Sequence, residues 1–230
     1  MFGFYGKNEI IPEIFHDLHQ QKINYIFLNL YNALVDDEMK IVYKYAYKAN
    51  SLRNIFELKI KDMLNQKPLN FKRAKSFCPY SHKIIQAFLM NEFSLRDIGV
   101  KIPKTSLARL IYNVFFNDGF MINTQFAFES FVLDKISKSN QNIKINFIKD
   151  IIILDNKVAI KVCFAMDKNN DIQDALKIIQ ENNFEKFYIV YPRNKNFTQC
   201  MEIKHFLCEN KKTLLKLVPY TINNQILRRK

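Results

Sequence analysis

At 230 residues and a formal net charge of +13, the chain is long enough for one large or two modest domains, and its charge favours an anionic partner such as nucleic acid. Its longest apolar runs, such as Ile151-Ile152-Ile153-Leu154, fall far short of the roughly 18–20 residues of a membrane span. The first ten residues contain Lys7 and Glu9 and lack the apolar stretch of a signal peptide, so a cytoplasmic protein with no membrane partner is expected. Enrichment in Ile, Lys, Asn and Phe is also the bias of an AT-rich genome, so the charge alone does not establish function. The four cysteines, Cys78, Cys163, Cys200 and Cys208, form no C-x-x-C pair and read as reduced thiols rather than a zinc or redox motif.

In chain order, Pro12 to Gln21 has helical spacing at Ile14, Phe15 and Leu18, and Lys22 to Leu30 follows as a strand-like apolar run. Residues 37–66 read as one helix, because apolar residues recur near helical period and neither Gly nor Pro interrupts before Pro68. The basic stretch Leu69 to Ser76 is the expected linker, which makes residues 1–76 a mainly helical first region.

From Pro79 the pattern becomes three short helices. The first covers Tyr80 to Met90. Ser94 then caps the very short Leu95-Arg96-Asp97-Ile98, and Gly99 stops it. Pro103 opens a third helix that runs to Asn117 with Leu107, Leu110, Ile111, Val114 and Phe115 on one stripe. This is the order of a helix-turn-helix, placed at residues 77–125. In such a unit the face opposite the stripe meets base edges and phosphates, which nominates Thr105, Arg109 and Tyr112, with Lys101 and Lys104 at the entry. Arg can hold guanine through two hydrogen bonds, while Lys and Thr reach phosphate.

Residues 126–230 change to an α/β pattern. A helix over 127–138 precedes strands at 143–148, 150–154 and 158–164, the last two joined by the turn residues Asp155-Asn156-Lys157. A helix at 171–182, a strand at 187–191, a helix at 199–209 and a strand at 214–218 complete a mixed sheet flanked by helices. An acid on the first helix (Glu129), an Asp opening a strand (Asp150) and a Lys on the next strand (Lys161) are three parts of a magnesium nuclease site. There, carboxylates hold the metal that activates water, and the Lys stabilises charge on phosphate. The acid of E-x-K is missing, because the triplet reads Ala159-Ile160-Lys161. Asp167 or Asp171 could in principle migrate into its place.

The order helix-turn-helix, Phe128-Glu129, Asp150-Ile151-Ile152-Ile153-Leu154-Asp155-Asn156-Lys157-Val158 and a following apolar strand resembles the C-terminal region of the archaeal-type ATPases. In that family a winged helix precedes a PD-(D/E)XK nuclease-like domain, so the resemblance, which covers residues 77–220, implies a winged helix over 77–125 and a restriction-endonuclease-like domain over 126–230. Phe4-Tyr5-Gly6-Lys7-Asn8-Glu9 is similar to the box that precedes the family's phosphate-binding loop. The loop itself is absent: Gly3-Phe4-Tyr5-Gly6-Lys7-Asn8 has neither the spacing of G-x-x-x-x-G-K nor its hydroxyl residue, so ATP chemistry is not expected.

The expectation is a non-catalytic protein that binds double-stranded DNA and carries a degenerate nuclease-like domain, with no cofactor. The rivals are an active nuclease using Glu129, Asp150, Lys161 and magnesium, and an assembly factor whose partner is another protein. His16 and His19, beside Glu13 and Asp17, form a weaker metal candidate. His82 and His205 have no evident sequence partners, and Leu227-Arg228-Arg229-Lys230 is a basic tail that could touch phosphate.

Overall fold

The computed structural model describes residues 2–6, 15, 18–66, 78–90, 103–116, 119–139 and 142–222. The chain divides into two compact units: Met1–Tyr5 with Leu18–Ile122, and Gly6–Asp17 with Asn123–Lys230. Residues on both sides of the expected boundary at 76 fall in the same unit. The linker expected at Leu69 to Ser76 lies outside the described residues.

The first unit contains strand β1 (Phe2–Tyr5), helix α1 (Gln20–Leu34), a 3-10 turn at Asp37–Met39, and helices α2 (Lys44–Lys48) and α3 (Leu52–Gln66). After these come α4 (Pro79–Leu89), α5 (Ser106–Ile111), a wider π turn at Tyr112–Phe116, and strand β2 (Phe120–Asn123), which pairs with β1. Its centre is aromatic: Phe27, Tyr31 and Phe56 meet edge to face or stacked, and Phe2, Phe4 and Phe120 close on them.

The strand expected at 22–30 is instead the middle of α1. All residues from Asn24 to Tyr31 are buried, so the run lacks the polar face that marks a helix, and an apolar stretch of that length reads equally as a buried strand. The single helix expected over 37–66 is also broken, and buried amides explain the break. Asn32 accepts from the Ile41 N–H and donates to the Ile41 carbonyl, both at 2.9 Å, as a neighbouring strand would. Asn24, fully buried, donates to the carbonyls of Ala46 and Ala49 at 3.2 and 2.8 Å, and the Tyr31 hydroxyl donates to the Met39 carbonyl. The segment after α1 is thereby held against it, and its carbonyls bond to side chains rather than continuing a helix.

The second unit follows the order α6 (Thr124–Ser139), β3 (Ile145–Ile148), β4 (Ile151–Leu154), β5 (Val158–Val162), α7 (Lys168–Glu181), β6 (Lys186–Pro192), β7 (Met201–Glu202), α8 (Phe206–Lys211) and β8 (Leu214–Tyr220). The expected helix at 199–209 is therefore a short strand followed by a shorter helix. The sheet order is β3-β4-β5-β6-β8-β7. The first three strands form an antiparallel meander, β5, β6 and β8 run parallel, and β7 is antiparallel to β8. It is a mixed sheet flanked by helices.

The β4–β5 turn forms as expected. Asp155 and Asn156 take positive φ of 49° and 58°, a conformation their short polar side chains tolerate, and Lys157 N–H closes on the Leu154 carbonyl. Alternation along the strands sorts the faces. Ile151, Ile153, Ala159, Cys163, Phe187, Ile189 and Tyr191 share a core with Ala175, Leu176 and Ile179 of α7. On the opposite face, Phe128 of α6 packs against Phe164 and Tyr220.

Asn24→Ala should lower the unfolding free energy by about 1–3 kcal/mol, since it deprives two carbonyls of their donor in a buried site. Urea unfolding with an unchanged slope would confirm that the loss is local to α1 and the segment it holds.

Candidate functional site

Of the residues expected to form a nuclease site, Asp150 lies next to Ile151, the register partner of Lys161, and its charge adds to the rise of the Cys163 thiol, while Glu129 stands on α6. Asp150 does not open a strand. It lies with Lys149 in the two-residue turn between β3 and β4, closed by the Ile148–Ile151 pair, and is exposed. Lys149 has φ of 54°, so the backbone has left the extended region before Asp150 is reached.

Glu129 belongs to α6, on the face opposite Lys161. Its Oε1 accepts from Gln125 Nε2 at 2.5 Å. Gln125 also donates to the Val162 carbonyl at 2.6 Å and accepts from the Phe164 N–H at 2.7 Å. These two backbone groups point toward the side on which β4 has already ended, so the Gln125 amide replaces the missing strand. Sequence reasoning did not find this residue. Its only signal was the i, i+4 spacing to Glu129.

Lys161 faces α7 and is nearly buried, its side chain 11% exposed. It pairs with Asp171 Oδ1 at 3.0 Å and with Asp174 Oδ2 at 3.1 Å. Asp171 also accepts from the Tyr191 hydroxyl at 2.8 Å and from the Cys163 thiol at 3.3 Å. One carboxylate thus gathers an ammonium, a phenol and a thiol. Burial works against the Lys161 charge, but the hydrogen bonds with Asp171 and Asp174 outweigh it and raise its pKa. Burial first, and then the charge of Asp171, pushes the Cys163 thiol up. Burial and the hydrogen bond to Asp171 do the same to the Tyr191 phenol. The hydrogen bond and charge of Lys161 hold Asp174 below the usual carboxylate range. Asp167 does not join the cluster; it caps α7 by accepting from the Asn170 N–H.

Asp171, one of the two residues that could have replaced the missing acid, is paired with Lys161. Among the described residues no group of three or more His, Cys, Asp or Glu could hold a metal ion. Magnesium does not fit the residues present, because the Lys161 that would face phosphate is held by two carboxylates on α7 and position 159 is an alanine.

In the first unit the DNA-contact candidates meet different fates. Pro103 is not the first helical residue. Thr105 caps α5, its hydroxyl accepting from the Ala108 N–H, so the helix starts at Ser106 and widens into the π turn after Ile111. The cap uses a lone pair of the Thr105 hydroxyl, and its O–H remains a donor. Arg109 folds back, Nη2 donating to the Lys104 carbonyl at 3.3 Å while Nε is buried with no hydrogen-bond partner among the described residues. The Tyr112 ring stacks on Phe116. Lys104 stays exposed, and its N–H and that of Thr105 donate to buried Ser81 of α4. Lys101, the helix expected at Leu95–Ile98, Gly99, His16 and the basic tail lie outside the described residues.

No family model, curated protein or solved structure matches the chain. The reading of the site therefore rests on its own geometry.

Removing Lys161 would leave Asp171, 13% exposed, without its counter-ion. Lys161→Ala should cost about 3 kcal/mol in urea unfolding, whereas Asp150→Ala, at an exposed turn, should stay within about 0.5 kcal/mol. The pH dependence has a defined sign. Asp174 is lowered, so its contribution is complete above its ordinary 3.8 and lost as pH falls through its folded value. Lys161 is raised, so its contribution is present below its ordinary 10.5 and lost as pH rises through its folded value. Lys161→Ala should flatten the stability profile at both ends.

The thiols should also separate under iodoacetamide followed by mass spectrometry. Exposed Cys200 and the partly exposed Cys78, whose thiol is lowered by a hydrogen bond with Ser81, should label in the native protein. Buried Cys163 and Cys208, both raised by burial, should label only in denaturant.

Proposed function

We propose that this chain is a non-catalytic nucleic-acid-binding protein that engages double-stranded DNA through its helical unit and carries a degenerate nuclease-like domain. The observation that carries the reading is the state of Lys161. The one residue of an E-x-K strand that the sequence keeps is held by Asp171 and Asp174, with Glu129 on the other face and Asp150 in a turn. The order helix, three antiparallel strands, helix, parallel strand supports the nuclease-like part, since it agrees with the fold that the resemblance to the archaeal-type ATPases implies.

The nucleic-acid part rests on where the charge lies. Between Lys59 and Arg109 the sequence has eleven Lys and Arg against three Asp and Glu, and Lys83 and Lys104 are exposed there on α4 and just before α5. Arg109, with its guanidinium folded onto the Lys104 carbonyl, is a poorer phosphate ligand than either lysine. Exposed lysines such as these bind phosphates through counterion release and draw no sequence information from them.

Duplex DNA binding measured by fluorescence anisotropy should weaken steeply with salt. Lys83→Ala with Lys104→Ala should weaken it further and flatten the log–log slope by about two, one for each phosphate no longer neutralised, with little change in thermal stability. Unchanged affinity and slope would remove this face from the binding site. Plasmid incubated with the protein and magnesium or manganese should remain uncut; cleavage abolished by Asp150→Ala would favour the active-nuclease rival.

A further inference from the structure

Helix α2 sorts its residues by type as well as by side. Tyr43, just before it, already has helical φ and ψ of −62° and −19°. At about 100° per residue, Tyr45, Ala46 and Ala49 then fall on the side that packs on α1 and α3, and all three are buried. Tyr43, Lys44, Tyr47 and Lys48 fall together on the other side, where Tyr47 is 40% exposed and both lysines are exposed. The two outer rings are fixed from within. Tyr43 stacks on buried Tyr25 with centroids 5.0 Å apart and donates its hydroxyl to Asn29 Oδ1 at 2.9 Å, and Tyr47 meets Tyr25 edge on at 6.0 Å.

Positive charge is in excess beside these rings. Lys44 pairs with Asp62 of α3 at 3.3 Å, but Asp62 also accepts from the Tyr45 hydroxyl. Lys59 stands half-buried on α3 with no ion pair among the described residues, and burial, then the charge of Lys44, lowers its pKa. Lys48 likewise has no carboxylate partner among the described residues. Three ammoniums thus share one carboxylate, and an added anion would offset the repulsion between Lys44 and Lys59.

We propose that this face binds single-stranded nucleic acid, with unpaired bases stacked on Tyr43 and Tyr47 and backbone phosphates on Lys44, Lys48 and Lys59. Every base has a π face that an aromatic ring can take, and only an unpaired base can turn it outward; in a duplex those faces are covered by neighbouring bases. Rings already ordered by Tyr25 and Asn29 lose little freedom on binding. An acidic protein would satisfy the lysines but brings no recurring flat group for the rings. The face is separate from Lys83 and Lys104, which stand on α4 and just before α5, so it adds a site to the duplex reading and does not rest on it.

Fluorescence anisotropy of the full chain with a labelled thymidine oligomer of about 12 nucleotides tests this, beside an abasic strand of the same length, a poly-glutamate peptide and a duplex. The oligomer should bind at least about tenfold tighter than the abasic strand or the peptide, since only it can stack. Tyr47→Ala should weaken the oligomer about tenfold and leave duplex affinity unchanged, and Tyr47→Phe should stay within about twofold of wild type, because the ring and not the hydroxyl is used. Lys44→Gln with Lys48→Gln should flatten the log–log salt slope by about 1.4, at about 0.7 for each phosphate of a single strand. Lys83→Ala with Lys104→Ala, which tests the duplex face, should leave oligomer affinity within about twofold, so that the two sites fail separately. Thermal midpoints of each variant confirm that it is folded. Failure to bind the oligomer at low salt, an abasic strand or peptide held as tightly, or binding indifferent to Tyr47→Ala would each overturn the proposal; tight peptide binding would assign the face to an acidic protein instead.

Discussion

A buried ammonium ion sets the terms for the second unit. Lys161 stands on a strand whose other residues on that face are apolar, and an ammonium out of water is tolerated only if carboxylates meet it. The protein meets that demand from α7, with Asp171 and Asp174 one helical turn apart on the side that faces the sheet. Asp171 then serves as acceptor for Tyr191 and Cys163 as well, so the strands β5 and β6 and the helix above them share one polar node in an otherwise apolar layer. Asp171 thereby ties the helix to both strands, and its hydrogen bonds add to burial in keeping the protons on the thiol and the phenol.

The first unit solves a related problem with neutral groups. Asn24, Asn29 and Asn32 lie along α1 and each meets a group from the segment that follows: Asn24 and Asn32 bind backbone, and Asn29 accepts from the Tyr43 hydroxyl. A side-chain amide offers one donor end and one acceptor end at nearly the spacing of a peptide, which is why it can stand in for a strand or a helical turn. Gln125 does the same on β5 in the other unit. Amides from Asn and Gln recur in this chain where regular backbone pairing stops.

That habit also explains what could and could not be read in advance. The α/β alternation after residue 120 was legible, because the strands other than the two-residue β7, and the amphipathic helices, carry the 2.0 and 3.6 periods openly, and the turn at Asp155-Asn156 announced itself by residue type. The strand expected at 22–30 failed because a helix buried all round has no polar face to give its period away. The unbroken helix over 37–66 failed because its interruption is imposed by Asn24 and Asn32, which act across the fold and not within the segment. For the site, Lys161 was visible as a residue type but its partners were not. The distance in sequence from Lys161 to Asp171 has no meaning until α7 lies over β5.

The division of the chain has a consequence for how it is made. Phe2–Tyr5 belongs with a strand at Phe120–Asn123, while Gly6–Asp17 belongs with residues beyond 123, where Phe15 sits against Phe164. The first and last parts of each unit are therefore far apart in synthesis. As the chain leaves the ribosome, β1 must wait for β2, and the residues just after it must wait longer still for a sheet whose final strand is Leu214–Tyr220. Closing such long loops is slow because chain entropy is lost before the interactions that repay it exist. The first unit can be completed only after β2 has emerged, and the second only after β8. Through both delays the stretch that begins at Gly6 stays tethered to one unit while it awaits the other.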